Sequence, residues 1–184
     1  MVERVKEQQI WLGLGSNQGN RLEHLNCVIN FVREQPGVEL IACSQVYETD
    51  YVGPGKQDKY LNACIGLRSQ LGPIQLLDRF QSLERELGRP FDGHMKPRPL
   101  DVDILLVDDL EIAESRLSVP HPRLSERLFV LMPLCDIAPE KKIPNLGETV
   151  ADLCAKIKRK EGPAVTLRRD LVLESSLTDR FMED

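Results

Sequence analysis

The chain has 184 residues, 41% of them hydrophobic and 29% charged, which fits one soluble globular domain with a sizeable core. Its net charge of -5 excludes a protein that grips nucleic acid by bulk electrostatics, so any anionic ligand must be met by a local basic pocket. Cys27, Cys43, Cys64, Cys135 and Cys154 are scattered and form no Cys-x-x-Cys pair, so they read as reduced core thiols rather than a zinc site or disulfide framework. The first residues, "MVERVKEQQI", are too charged for a signal peptide, and no apolar run approaches the roughly 20 residues that cross a bilayer. The expectation is a cytoplasmic protein with neither a membrane nor a nucleic-acid partner.

In chain order, "QQIWLGLGSN" predicts a strand through Ile10, Trp11, Leu12 and Leu14 that ends at the turn residues Gly15, Ser16 and Asn17. Leu22, Leu25, Val28, Ile29 and Val32 recur at helical spacing until "QPG" stops them. "VELIACSQVYET" and "YLNACIGLRS" predict two strands joined by the loop "DYVGPGKQDK". Gly72 and Pro73 open a second amphipathic helix marked by Leu76, Leu77, Phe80, Leu83 and Leu87 and ended by Gly88. The loop "RPFDGHMKPRP" then leads into the apolar strand "LDVDILLV". The order β-α-β-β-α-β predicts an α+β, ferredoxin-like core, an antiparallel sheet covered by helices on one face. Beyond it come a turn and short strand at "DDLEI", a helix over Ser125–Leu134 and a last helix in "ETVADLCAKIKRK". From about Glu161 the pattern weakens, so the final stretch reads as a peripheral extension.

Asp101 and Asp103 sit at i and i+2 of a strand, so both carboxylates project from one face, roughly 7 Å apart at Cα. Two such groups repel each other, and a shared cation resolves the conflict. Mg²⁺ suits them, since it takes hard oxygen ligands and is often held by one or two carboxylates plus substrate phosphates. The alternative is an edge strand with one solvated face. Arg89, Lys96 and Arg98 just before the pair offer cations suited to phosphate, and acid for metal beside base for phosphate points to phosphoryl-type transfer. No Walker A motif is present. "GLGSNQG" has Gly-x-Gly-x-x-x-Gly spacing and reads as a structural turn, with a nucleotide loop as the lesser alternative. His121, in "VPHP", could be aimed at a phosphate, although a lone histidine is more often structural; His24 reads as structural.

Taken in succession, "LGLGSN", "YETDYVG", "YLNA", "LERELGR", "PRPLDVDILL", "LSVPHPRLSERLFVLMPL" and "IAPE" resemble the 6-hydroxymethyl-7,8-dihydropterin pyrophosphokinases of folate biosynthesis over about Ile10 to Leu153. The resemblance implies transfer of pyrophosphate from ATP to the pterin hydroxymethyl with release of AMP, in a catalytic domain at 1–160 followed by a peripheral extension at 161–184. It implies that Asp101 and Asp103 hold two Mg²⁺ ions bridging ATP and acceptor, and that Arg89 and Arg98 contact phosphate. Gln81, Glu84, Arg116, Ser118, His121 and Arg127 match positions around ATP, with Leu77 and Ile104 against the adenine. Thr49, Val52, Tyr60, Asn62 and Phe129 match the pterin pocket, where a flat heterocycle needs stacking faces and an amide; on their own, Tyr60 and Phe129 read as core. The expected partners are these two small molecules, with the protein a monomer.

Three departures from the family's usual pattern stand out: Tyr51 in place of proline, Pro122 after His121 in place of tyrosine, and His94-Met95-Lys96-Pro97-Arg98 without the family's tryptophan and further arginine. Gly93 suits the 90–97 segment to closing over substrate, with Lys96 supplying positive charge. Two other readings stay open: a ferredoxin-like binding module with a structural metal, and an enzyme acting on a different heterocyclic alcohol.

Overall fold

The computed structural model of the chain describes residues 7–89, 96–159 and 164–174. Strand β1 (Gln8–Ser16) leads into helix α1 (Arg21–Arg33), whose Asn20 caps the first turn by accepting from the Glu23 N–H. Strands β2 (Val38–Cys43) and β3 (Tyr47–Thr49) pair end to end with the same edge of β4 (Tyr60–Ser69). The single strand expected over "VELIACSQVYET" is thus broken at 44–46. Ser44 is the reason: its hydroxyl accepts from the Cys64 N–H at 2.8 Å, taking over the ladder at the break.

Helix α2 (Pro73–Glu86) starts with proline at its first position and the Gln75 side chain accepting from the Gly72 N–H at 3.0 Å. It ends at Gly88, whose φ of +94° lies in the left-handed region that favours glycine. Strand β5 (Asp101–Val107) returns on the far side of β1. The sheet order β5-β1-β4-β3-β8, with β2 also on β4, is antiparallel throughout and contains the expected βαββαβ core.

Period-2 alternation sends the strand residues to two faces. Ile10, Leu12, Leu14, Val102 and Ile104 join Leu25, Val28 and Ile29 of α1 and Leu76, Phe80 and Leu83 of α2 in one core cluster. The opposite face is covered as well, which the one-face expectation missed: Trp11, Cys64 and Leu105 pack with α3 (Leu128–Ile137) and α4 (Val150–Lys158). Short strands β6 (Ile112–Ala113) and β7 (Ser118–Val119) pair with each other between β5 and α3. The helix expected over Ser125–Leu134 is instead a 3-10 turn at Leu124–Glu126 followed by α3, with Arg127 in extended conformation between them.

The described part of the stretch read as a peripheral extension adds an edge strand to the sheet. Strand β8 (Val165–Leu167) pairs with β3, Leu173 is buried, and Arg168 donates to Glu48 at 3.1 Å. The Glu174 backbone is tied to α1 twice, its N–H donating to Asn26 and its carbonyl accepting from Arg33.

Candidate active site

On the face that α3 and α4 share lies a solvent-open cleft whose walls include Thr49, Tyr51, Val52, Tyr60, Asn62, Arg98, Asp101, Asp103, Arg123, Arg127 and Phe129. Its floor is made by two glycines. Strand β1 continues through Gly15 to Ser16 rather than turning after Leu14, so Gly13 and Gly15 point into the cleft with no side chain to fill it. A Cβ on Gly15 would touch Tyr60, Asn62 and Asp101 at 3.7–3.8 Å. Gly15→Val is therefore expected to keep the fold and obstruct the cleft, read as wild-type thermal unfolding with lost ligand binding.

Register aligns the polar groups. Asn62 on β4 and Asp101 on β5 both pair with Gly15 of β1, so amide and carboxylate flank one bare glycine. They stand roughly 10 Å apart by strand spacing. Asp103 occupies the next row, opposite Gly13. Asn62 and Thr49 are both buried and joined by a 3.0 Å hydrogen bond from Asn62 Nδ2 to Thr49 Oγ1.

The acidic end is crowded with charge. Asp101 accepts from Arg98 at 2.9 Å and pairs with Arg89 at 2.8 Å. Arg89 also pairs with Glu84, which is 3% exposed and accepts the Val102 N–H at 2.7 Å. Asp103 has looser neighbours, with Arg127 4.0 Å away and His121 Nε2 3.8 Å. Burial in the cleft wall, and next the Asp101 charge, push its carboxyl well above the usual carboxylate range. A site that raises one acid of a same-face pair in this way fits a cation as its missing partner.

His121 is held down to about 4 by burial first and by Arg127 second, so the ring is neutral at pH 7. The Arg123 N–H donates to its Nδ1 at 3.2 Å, which assigns the ring proton to Nε2, on the Asp103 side. Arg127 and Phe129 flank the N-terminus of α3 with the guanidinium 5.7 Å from the ring centroid. The break before α3 is what aims both at the cleft.

Nine of the residues expected at the site line this cleft: Thr49, Val52, Tyr60, Asn62, Arg98, Asp101, Asp103, Arg127 and Phe129. The others lie around its acidic end or beneath it. Arg89 and His121 reach the aspartates directly. Ser118 is exposed on β7, and Arg116, half exposed, pairs with Asp78 and so ties the β6–β7 turn to α2. Gln81 is half-buried on α2. Leu77 and Ile104 are core residues at 9% and 4% exposure, and Glu84 is buried under the strand it hydrogen-bonds. The expected closing segment falls mostly at 90–95, outside the described residues.

Sequence reasoning missed Asn17. Buried at 2% exposure, it donates through Nδ2 to Gln57 at 3.0 Å and accepts the Arg98 N–H at 2.8 Å, clipping the 50–59 loop to the arginine segment. The signal was the asparagine itself, since an amide donates and accepts at once and can join two loops at a strand end.

The model of the family described as 7,8-dihydro-6-hydroxymethylpterin-pyrophosphokinase (HPPK) matches residues 11–139. The chain belongs to the HPPK family. Among its relatives are the 2-amino-4-hydroxy-6-hydroxymethyldihydropteridine pyrophosphokinases of Pseudomonas aeruginosa, 36% identical over 80% of this chain and 91% of the relative, and of Bacillus subtilis, 37% identical over 83% and 92%. The fold is also that of Plasmodium falciparum HPPK-DHPS, solved with pterin and p-hydroxybenzoate, at a TM-score of 0.68 and 18% identity over 85% of this chain and 45% of that one. The HPPK match covers every cleft residue named above. Among the described residues no helix is long and apolar enough to cross a membrane.

Proposed function

We propose that the cleft transfers the pyrophosphoryl group of ATP to the hydroxymethyl of 6-hydroxymethyl-7,8-dihydropterin, with the pterin held at the Asn62 end and the triphosphate at the aspartate end. As an HPPK, the chain is a pyrophosphokinase of folate biosynthesis, and ATP is its co-substrate. The observation that carries the arrangement is the shared row, Asn62 and Asp101 on either side of Gly15. A heterocycle read by Asn62 and lying over Gly15 presents its substituent to Asp101.

Tyr60 and Phe129 supply aromatic walls for the ring, while the Asn62–Thr49 hydrogen bond fixes which way the amide faces. Asp101 and Asp103 would hold Mg²⁺, two ions in our reading. Bound there, Mg²⁺ would offset phosphate charge and favour deprotonation of the acceptor hydroxyl. Among the described residues no cluster of three or more metal-ligating side chains occurs, so water and phosphate oxygens would complete the coordination.

Arg89 and Arg98 neutralise Asp101 in this structure, and an incoming triphosphate competes for both guanidiniums. Neutral His121 offers its Nε2–H to a phosphate oxygen without adding charge. Arg127, Arg116, Ser118 and Gln81 line the route outward along the nucleotide. Glu84 then acts as a positioning residue, holding Arg89 and β5, and Leu77 and Ile104 support the nucleotide end from within the core. With donor and acceptor groups fixed in one row, the protein contributes mainly orientation and electrostatics.

The deciding experiment incubates the protein with Mg²⁺, ATP and 6-hydroxymethyl-7,8-dihydropterin. Equimolar AMP and pterin diphosphate are expected; ADP as product, or no turnover, contradicts the proposal. Within the same reading, Asn62→Ala removes the edge-reading amide and frees Thr49. It is expected to weaken pterin binding about tenfold or more while sparing ATP, because unpaired donors and acceptors are left behind. Calorimetry with equal losses for both ligands would count against it.

A further inference from the structure

We propose that Tyr51 is a specificity-determining residue of the heterocycle pocket, its phenol hydroxyl hydrogen-bonding the polar edge of the bound pterin; this rests on the function proposed above. Tyr51 lies just past β3, in the 50–59 loop that links Thr49 to its cross-strand partner Tyr60, and it lines the cleft. Its ring runs beside that of Tyr60, with centroids 6.3 Å apart and planes inclined by 24°. The hydroxyl folds back against Gly53, where a Cβ would stand 2.2 Å from the oxygen, so only glycine at 53 admits this arrangement. Among the described residues, Tyr51 Oη is the one buried side-chain polar atom without a hydrogen-bond partner.

A buried hydroxyl with no partner is destabilising, and phenylalanine would give the same ring contact with Tyr60 without that cost. Packing therefore does not account for the oxygen. Neighbouring polar groups of the cleft already have partners, Asn62 in Thr49 and Arg98 in Asp101. A ligand lying against Tyr60 adjoins Tyr51, and a phenol both donates and accepts. A pterin presents ring nitrogens, a carbonyl and an amino group around its rim, and so can supply the missing partner. A modest turn of the Tyr51 side chain away from Gly53 brings the oxygen to that rim.

The test compares wild type with Tyr51→Phe, measuring thermal unfolding of the free proteins and the affinity for 6-hydroxymethyl-7,8-dihydropterin in the presence of Mg²⁺ and a non-hydrolysable ATP analogue. The phenylalanine variant is expected to unfold at the same or a slightly higher temperature, to bind the ATP analogue as wild type does, and to bind the pterin about five- to tenfold more weakly. Wild-type pterin affinity in Tyr51→Phe overturns this inference alone. Equal losses for pterin and ATP analogue also overturn it, since they mark a general disturbance of the cleft. A wild-type protein that binds no pterin overturns both the inference and the function on which it rests.

Discussion

Asp101→Ala and Asp103→Ala are each expected to cut turnover on the order of 10²–10³-fold or more, because in the proposed mechanism each removes a ligand of the Mg²⁺ that would offset phosphate charge. Their effects on stability should differ. Asp101 is paired with Arg89 and Arg98, so its loss leaves Arg98 without this acceptor and Arg89 paired with Glu84, and should lower stability by about 1–2 kcal/mol. Asp103 lies 4.0 Å from Arg127 and is crowded by Asp101, so its removal relieves repulsion and should leave stability unchanged or raised. Turnover as a function of Mg²⁺ concentration, set beside thermal unfolding, checks both halves. Wild-type activity of either variant at limiting Mg²⁺ would refute the assignment.

Glu84→Ala is expected to be the most destabilising single change around the site, at about 2–4 kcal/mol. It strips the Val102 N–H of its acceptor and leaves Arg89 shared with Asp101 alone. Glu84→Gln keeps an acceptor for the strand but not the charge, and should recover part of that loss. Urea unfolding of the two variants reads the stability. Activity should fall in both, because Arg89 and the start of β5 lose their common anchor. Equal stability of Glu84→Ala and wild type would return Glu84 to the role that the family resemblance suggested, a contact to the nucleotide.

Glu84 shows where the sequence is legible. The helical period Leu76, Leu77, Phe80, Leu83 already places residue 84 one turn after Phe80 on the buried side, so the pattern pointed to burial while resemblance pointed to ATP. The βαββαβ order and the same-face aspartates follow from local periodicity and were readable. Cross-strand register was not. That Asn62, Gly15 and Asp101 form one row depends on which strands pair and with what offset, which no short window of sequence contains. The glycine floor escaped for a related reason: Gly13 and Gly15 have no side chain to register in a hydropathy pattern, so a strand lining a cleft looked like the start of a turn. In the tail, β8 is short and takes its partner from β3, more than a hundred residues earlier, so its membership of the sheet is a tertiary fact.

The claim on which the mechanism depends is that Asp101 and Asp103 jointly hold the catalytic cation. Diffraction from crystals grown with Mn²⁺ and a non-hydrolysable ATP analogue, using the anomalous signal of the metal, tests it directly. The account predicts Mn²⁺ directly coordinated by carboxylate oxygens of both aspartates, with Arg89 or Arg98 turned from Asp101 to phosphate. Metal bound to the analogue alone, with Asp101 still bridged by both arginines, would contradict it.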